Sequence, residues 1–162
     1  MNKIGLVLAV GLLLSACGSG VNKAKCEGLY RAGKGIEGAV SVGVNLIGYR
    51  ELLQKLATEI SIAADSAASD SEREMVTAYR DALVAYKDAE TIWSKSLSGP
   101  SRLNAFDPEI KRIAGEYPID GEGVGANFSF DAKAAVQTIW QTAQRELTRG
   151  NRVYNGGCPS GC

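Results

Sequence analysis

The chain contains no histidine in its 162 residues. This absence removes Ser/His and Cys/His catalytic pairs, histidine metal sites and the commonest general base, leaving only carboxylate, lysine and tyrosine chemistry. Net charge is absent too: eighteen basic residues balance eighteen acidic ones. A near-neutral chain is not expected to bind nucleic acid or to present a polybasic lipid-binding surface. No phosphate-cradling glycine loop, nucleophile motif or metal-ligand cluster is written into it, so no cofactor and no metal are expected. The apolar run Ile4 to Leu14 spans eleven residues, too short for a membrane-spanning helix, which needs roughly 20.

What is present begins with that run. Lys3 supplies a minimal positive region ahead of it, and the run closes in Leu14-Ser15-Ala16-Cys17. This is the layout of a cleaved export signal. The four closing residues resemble the lipobox of bacterial lipoprotein precursors. The resemblance covers only the first seventeen or eighteen residues. It implies a diacylglyceryl thioether on Cys17, loss of residues 1–16 and acylation of the new terminus. Several acyl chains hold a protein durably on a membrane surface, where a single chain is marginal. Gly18 stands where inner-membrane retention in that class usually shows Asp, which implies the outer membrane. The mature chain of 146 residues would keep seventeen basic and eighteen acidic residues, enough length for one domain with a real core.

Three further cysteines, Cys26, Cys158 and Cys162, remain once Cys17 is modified. In an oxidising compartment one disulfide and one spare thiol are expected. A Cys158–Cys162 bridge closes a tiny loop. A bridge from Cys26 to either tail cysteine ties distant segments and constrains the unfolded chain more, and is the preferred pairing. Three cysteines without histidine do not make a zinc site, and Cys-Pro-Ser-Gly-Cys lacks redox spacing.

The remaining pattern is helical. Leu46, Tyr49, Leu53, Leu56, Ile60, Ala63 and Ala67 recur three and four apart and make one helical stripe. Asp70 or Ser71 can cap a second helix carrying Val76, Tyr79, Leu83, Tyr86, Trp93 and Leu97 inward, up to Ser98-Gly99-Pro100. The short link between them makes an antiparallel hairpin. A third helix is expected from about Asp131 to Asn151, with Val136, Ile139, Trp140, Ala143 and Leu147 inward. Trp93 and Trp140 are read as core anchors in preference to a ligand-stacking pair. The expected fold is therefore all-α: an antiparallel bundle of three long helices, with a short extra helical turn in a long connection. Glycines at 28, 33, 38, 43 and 48 weaken the segment before it, each costing about 1 kcal/mol in a helix, so a helix from Cys26 to Gly43 needs tertiary support. It is preferred to a loosely ordered lead-in, with Gly35, Ala39 and Gly43 letting another helix approach closely. Residues 17–35 are assigned to a lipidated tether, 36–157 to the bundle and 158–162 to a cysteine-containing tail.

Bundle connections usually run 2–8 residues, so the stretch from Ser98 to Asn127 is abnormally long and a candidate for function. Asp107-Pro108 can start one helical turn. Phe106, Ile110, Tyr117, Asp120 and Glu122 are the candidate interaction residues on it. Asp120 and Glu122 are too few oxygen donors for calcium. Glu116 and Asp120 offer the carboxylate pair of a glycan or cell-wall hydrolase, which needs two carboxyl groups roughly 5–10 Å apart. The preferred expectation is a non-enzymatic interaction or structural module, held on a membrane by its N-terminal lipid and meeting a protein partner. The segments Tyr49-Arg50-Glu51-Leu52-Leu53-Gln54, Tyr79-Arg80-Asp81-Ala82-Leu83, Ile139-Trp140-Gln141-Thr142-Ala143 and Asn151-Arg152-Val153-Tyr154 are similar to small helical exported bacterial proteins with no assigned activity. That likeness transfers no site residue.

Overall fold

Each α-helix among the described residues starts where a side chain can satisfy its orphan N–H groups. In the computed structural model, which describes residues 20–156, Asn22 accepts from the Lys25 backbone N–H at 3.3 Å and opens α1 (Lys23–Val42). Asn45 accepts from Gly48 N–H at 2.8 Å and opens α2 (Leu46–Ser66). Ser69 and Glu72 form a reciprocal capping box at the head of α3 (Asp70–Ser98). A two-stranded antiparallel ribbon follows, β1 (Arg102–Asn104) with β2 (Ser129–Asp131), in the register Leu103 opposite Phe130. Between the strands, Asp107 caps α4 (Pro108–Glu116) with Pro108 in its first turn. Asp131 then caps α5 (Ala132–Tyr154).

The four long helices run up, down, up and down. Gly28 and Gly35 of α1 face Glu59 and Leu52 of α2, and Tyr49 of α2 reaches the Tyr86 carbonyl of α3. Tyr79 and Trp93 of α3 meet Asn151 and Trp140 of α5, while Tyr154 stacks on Tyr30 of α1. In each pair, rising numbers on one helix meet falling numbers on the next. The protein is mostly helical as expected, but among the described residues the bundle has four long helices where three were anticipated. The boundary at residue 35 falls inside α1. Cys26, Leu29, Ala32, Gly33 and Ile36 form that helix's buried stripe, which the interspersed glycines obscure.

Other expectations shift with the packing. The cap of α3 is Ser69 rather than Asp70 or Ser71, and Leu97 is 66% exposed instead of inward. The long connection is not structureless: it carries β1 and α4 and leads into β2, and its Leu103, Ile110 and Ile113 are buried in the common core with Phe130 of β2. It is part of the folded unit, not a removable loop.

Two close approaches explain why helix-weakening glycines persist. Tyr79 is fully buried between α1 and α5. A Cβ at Gly33 would lie 2.5 Å from its Cε1, and one at Gly150 would lie 2.5 Å from its Cδ2 and Cε2. Tyr79 donates to the Asn151 side-chain oxygen at 2.5 Å, which fixes the ring in this slot. Burial pushes its hydroxyl pKa up.

Glu72 is a buried carboxylate, 4% exposed. One oxygen accepts from the Ala68 and Ser69 backbone N–H groups at 2.7 and 3.1 Å, and the other from Asn22 N–H at 3.1 Å. It therefore ties the head of α1 to the turn between α2 and α3. The bonds from Ala68 and Ser69 hold its carboxyl down at about 2.

Gly33→Ala and Gly150→Ala should each destabilise the fold by about 1–3 kcal/mol through overpacking, although alanine is the better helix former by about 1 kcal/mol. Urea denaturation measures this, and a gain in stability for both variants would mean that the Tyr79 slot yields freely. Glu72 has a folded pKa of about 2 against an ordinary 4.5. Its stabilisation is thus complete above pH 4.5 and lost as pH falls toward 2. Glu72→Gln should cost about 1–3 kcal/mol near neutrality, and the gap in melting temperature from the parent should close in acid. A gap constant with pH would assign the loss to packing alone.

Candidate functional site

The candidate residues of the connection land in unlike places. Ile110 is 1% exposed and cannot meet a partner, because it faces the core from α4. Tyr117 is half-buried and donates its hydroxyl to Asp88 at 2.8 Å. Phe106 is 67% exposed, and Asp120 and Glu122 are also exposed. The Glu122 backbone pairs with Ser129, and its carboxylate lies 3.4 Å from the Arg102 guanidinium. Phe106, Asp120 and Glu122 thus remain surface groups, while Ile110 and Tyr117 hold the connection down.

Asp88 organises that attachment. It sits on α3, 5% exposed, and accepts from both terminal nitrogens of Arg112 on α4 at 2.5 and 3.2 Å. Neither its burial nor its partner was legible beforehand. The Asp88 carboxylate in turn pushes the Arg112 pKa up, and burial together with the bond to Asp88 does the same for Tyr117. Lys95 completes the clamp by donating to Asp107 at 2.6 Å at the head of α4. That bond raises the lysine and lowers the Asp107 carboxyl.

Two clefts border these elements. The first, about 550 Å³, runs between α2 and α3 below α4 and includes Arg50, Lys87, Asp88, Glu90 and Glu109. Each of its carboxylates has an internal cation: Asp88 has Arg112, Glu90 has Arg50 at 2.7 Å, and Glu109 has Lys95 at 3.6 Å. The second, about 590 Å³, opens at the end of the bundle where α1 turns into α2. Its floor is aromatic. Trp93 and Trp140 pack edge to face at 5.9 Å, and Trp140 Nε1 donates to the buried Tyr49 hydroxyl at 2.9 Å. Tyr49 passes the chain on by donating to the Tyr86 carbonyl at 2.9 Å. The two tryptophans are core anchors, as read, yet both also line this cleft.

Glu116 and Asp120 line neither cleft. Glu116 accepts from Arg112 at 2.8 Å on the surface of α4. Among the described residues no three histidine, cysteine, aspartate or glutamate side chains gather as a metal site. None of the described helices is long and apolar enough to cross a membrane. Cys26 is buried and forms no disulfide among the described residues, and burial pushes its thiol pKa up. Cys17, Cys158 and Cys162 lie outside the described residues. No protein-family model matches the chain, and neither a curated protein nor a solved structure matches it.

Arg112→Met should strand the buried Asp88 charge and cost about 2 kcal/mol, tempered by the half-exposed guanidinium. Glu116→Gln removes only the exposed pair within α4 and should cost about 0.5 kcal/mol or less. Urea denaturation of both variants checks the ranking. Equal losses would deny the Asp88 contact its role in holding the connection on the bundle.

Proposed function

We propose that this chain is a non-enzymatic interaction or structural module, held on a bacterial membrane (the outer membrane, on its periplasmic side or surface, where the source has one) by lipid on Cys17. The observation that carries the binding half of this reading is the state of the acidic cleft. Its three carboxylates are spent on cations that hold α2, α3 and α4 together, so they serve architecture rather than proton transfer. The anchoring half rests on Leu14-Ser15-Ala16-Cys17. Only Gly18 to Asn22 separate that cysteine from the first residue of α1, roughly 20 Å of extended chain at most. The bundle would ride close to the membrane, with the lipid leaving from the head of α1. Exposed Phe106, Asp120 and Glu122 are the groups on the connection open to a protein partner. In the same reading the tail is bridged back to α1. Lys23 and Tyr30, which flank Cys26 in sequence, both contact Tyr154 at the end of α5, and this supports a bridge from Cys26 to Cys158 or Cys162.

Metabolic labelling with a palmitate analogue tests the anchor. The parent should carry label and fractionate with membranes, and Cys17→Ser should do neither. Label persisting on Cys17→Ser would sink the lipoprotein reading.

A further inference from the structure

The cleft at the far end of the bundle has features that packing alone does not require. Its wall is more apolar than polar, formed by Val40, Val44 and Val136 with the two tryptophans, while Ser41, Ser96 and Gln137 supply its neutral polar part. Its volume of about 590 Å³ lies in the range of ligand-holding clefts, roughly 300–1,000 Å³. Lys133 stands at its edge, exposed, and makes no ion pair among the described residues. The nearby Asp131 carboxylate is directed into the helix, accepting from Ala134 N–H at 2.8 Å. An apolar trough with one uncompensated ammonium at its mouth is complementary to one negative charge on an apolar body.

We propose that this cleft binds a medium-chain aliphatic carboxylate, its chain against the valines and tryptophans and its head on Lys133. The shape of the floor favours a chain over a flat ring. Trp93 and Trp140 meet at an interplanar angle of 82°, so they offer one face and one edge instead of two parallel faces. Branched valines complete an uneven wall that a flexible chain can follow. A lone lysine matches a singly charged carboxylate, where a phosphate dianion would call for a forked or multiple donor set. The inference goes beyond the binding-module reading and does not need the lipid anchor.

Both tryptophans of the protein line the cleft, so intrinsic fluorescence reports on it directly. The full chain carrying Cys17→Ser, which keeps its own acyl groups from competing, is titrated with dodecanoate and with dodecanol below their aggregation limits. Dodecanoate should change tryptophan emission saturably. Lys133→Glu should weaken dodecanoate about tenfold or more while leaving dodecanol unchanged, and Ser96→Phe, which fills the trough, should abolish both. Absence of a saturable change with dodecanoate overturns the proposal. So does undiminished dodecanoate binding by Lys133→Glu, an exposed substitution that leaves the fold intact even where Ser96→Phe does not.

Discussion

The bundle closes around the Tyr79 ring. A phenol that size, wholly buried on α3, can lie between two neighbouring helices only where both lack a side chain, and Gly33 and Gly150 provide those gaps. The arrangement sets the spacing of α1 and α5 about α3. It also converts two helix-weakening residues into a packing requirement, since any Cβ there would overlap a ring that its bond to Asn151 holds in place. Local helix propensity and tertiary fit conflict at these sites, and tertiary fit decides.

Polar groups inside the molecule are few, and those with partners join elements distant in sequence. Glu72 joins α1 to the turn before α3, Tyr49 joins α2, α3 and α5, and Asp88 joins α3 to α4 and its exit. Each sits where the chain must commit to one of several near-equivalent helix packings. An apolar core alone tolerates sliding and rotation, whereas a buried carboxylate that accepts three backbone N–H groups in one geometry does not. Asp88 carries the same commitment into the acidic cleft, where its charge is paired with Arg112 across α3 and α4.

Much of this was legible where one periodicity dominated. The stripes of α2, α3 and α5 are spaced three and four apart over many turns, so their existence and inward faces can be read directly. The first helix was obscured because its glycines look like a tether until Tyr79 is known to fill the space above Gly33. The ribbon left no pattern: each strand has three residues and one inward side chain, Leu103 or Phe130, too few for alternation to register. Glu72 and Asp88 looked like ordinary surface acids, since nothing local separates a first-turn or mid-helix carboxylate in water from one collecting remote donors. The tryptophan pair was legible as core, but its second role depends on Lys133 and the α1–α2 turn coming to the same end of the bundle.

That convergence gives the molecule two unlike ends. The end where α1 and α3 begin and α2 and α5 finish is locked by Glu72, by Tyr79 with Asn151 and by Tyr30 stacked on Tyr154 at 4.3 Å. The other end holds the tryptophan cleft, with Val42 in its lining at 85% exposure, and leaves Ile47 and Leu97 72% and 66% exposed. The twenty residues of α1 set the two ends about 30 Å apart. If Cys17 carries the proposed lipid, that lipid leaves from the locked end, and the tryptophan cleft lies at the end away from it. On the proposed anchoring through Cys17, the up-down-up-down path keeps attachment and the tryptophan cleft at opposite ends of one helical unit.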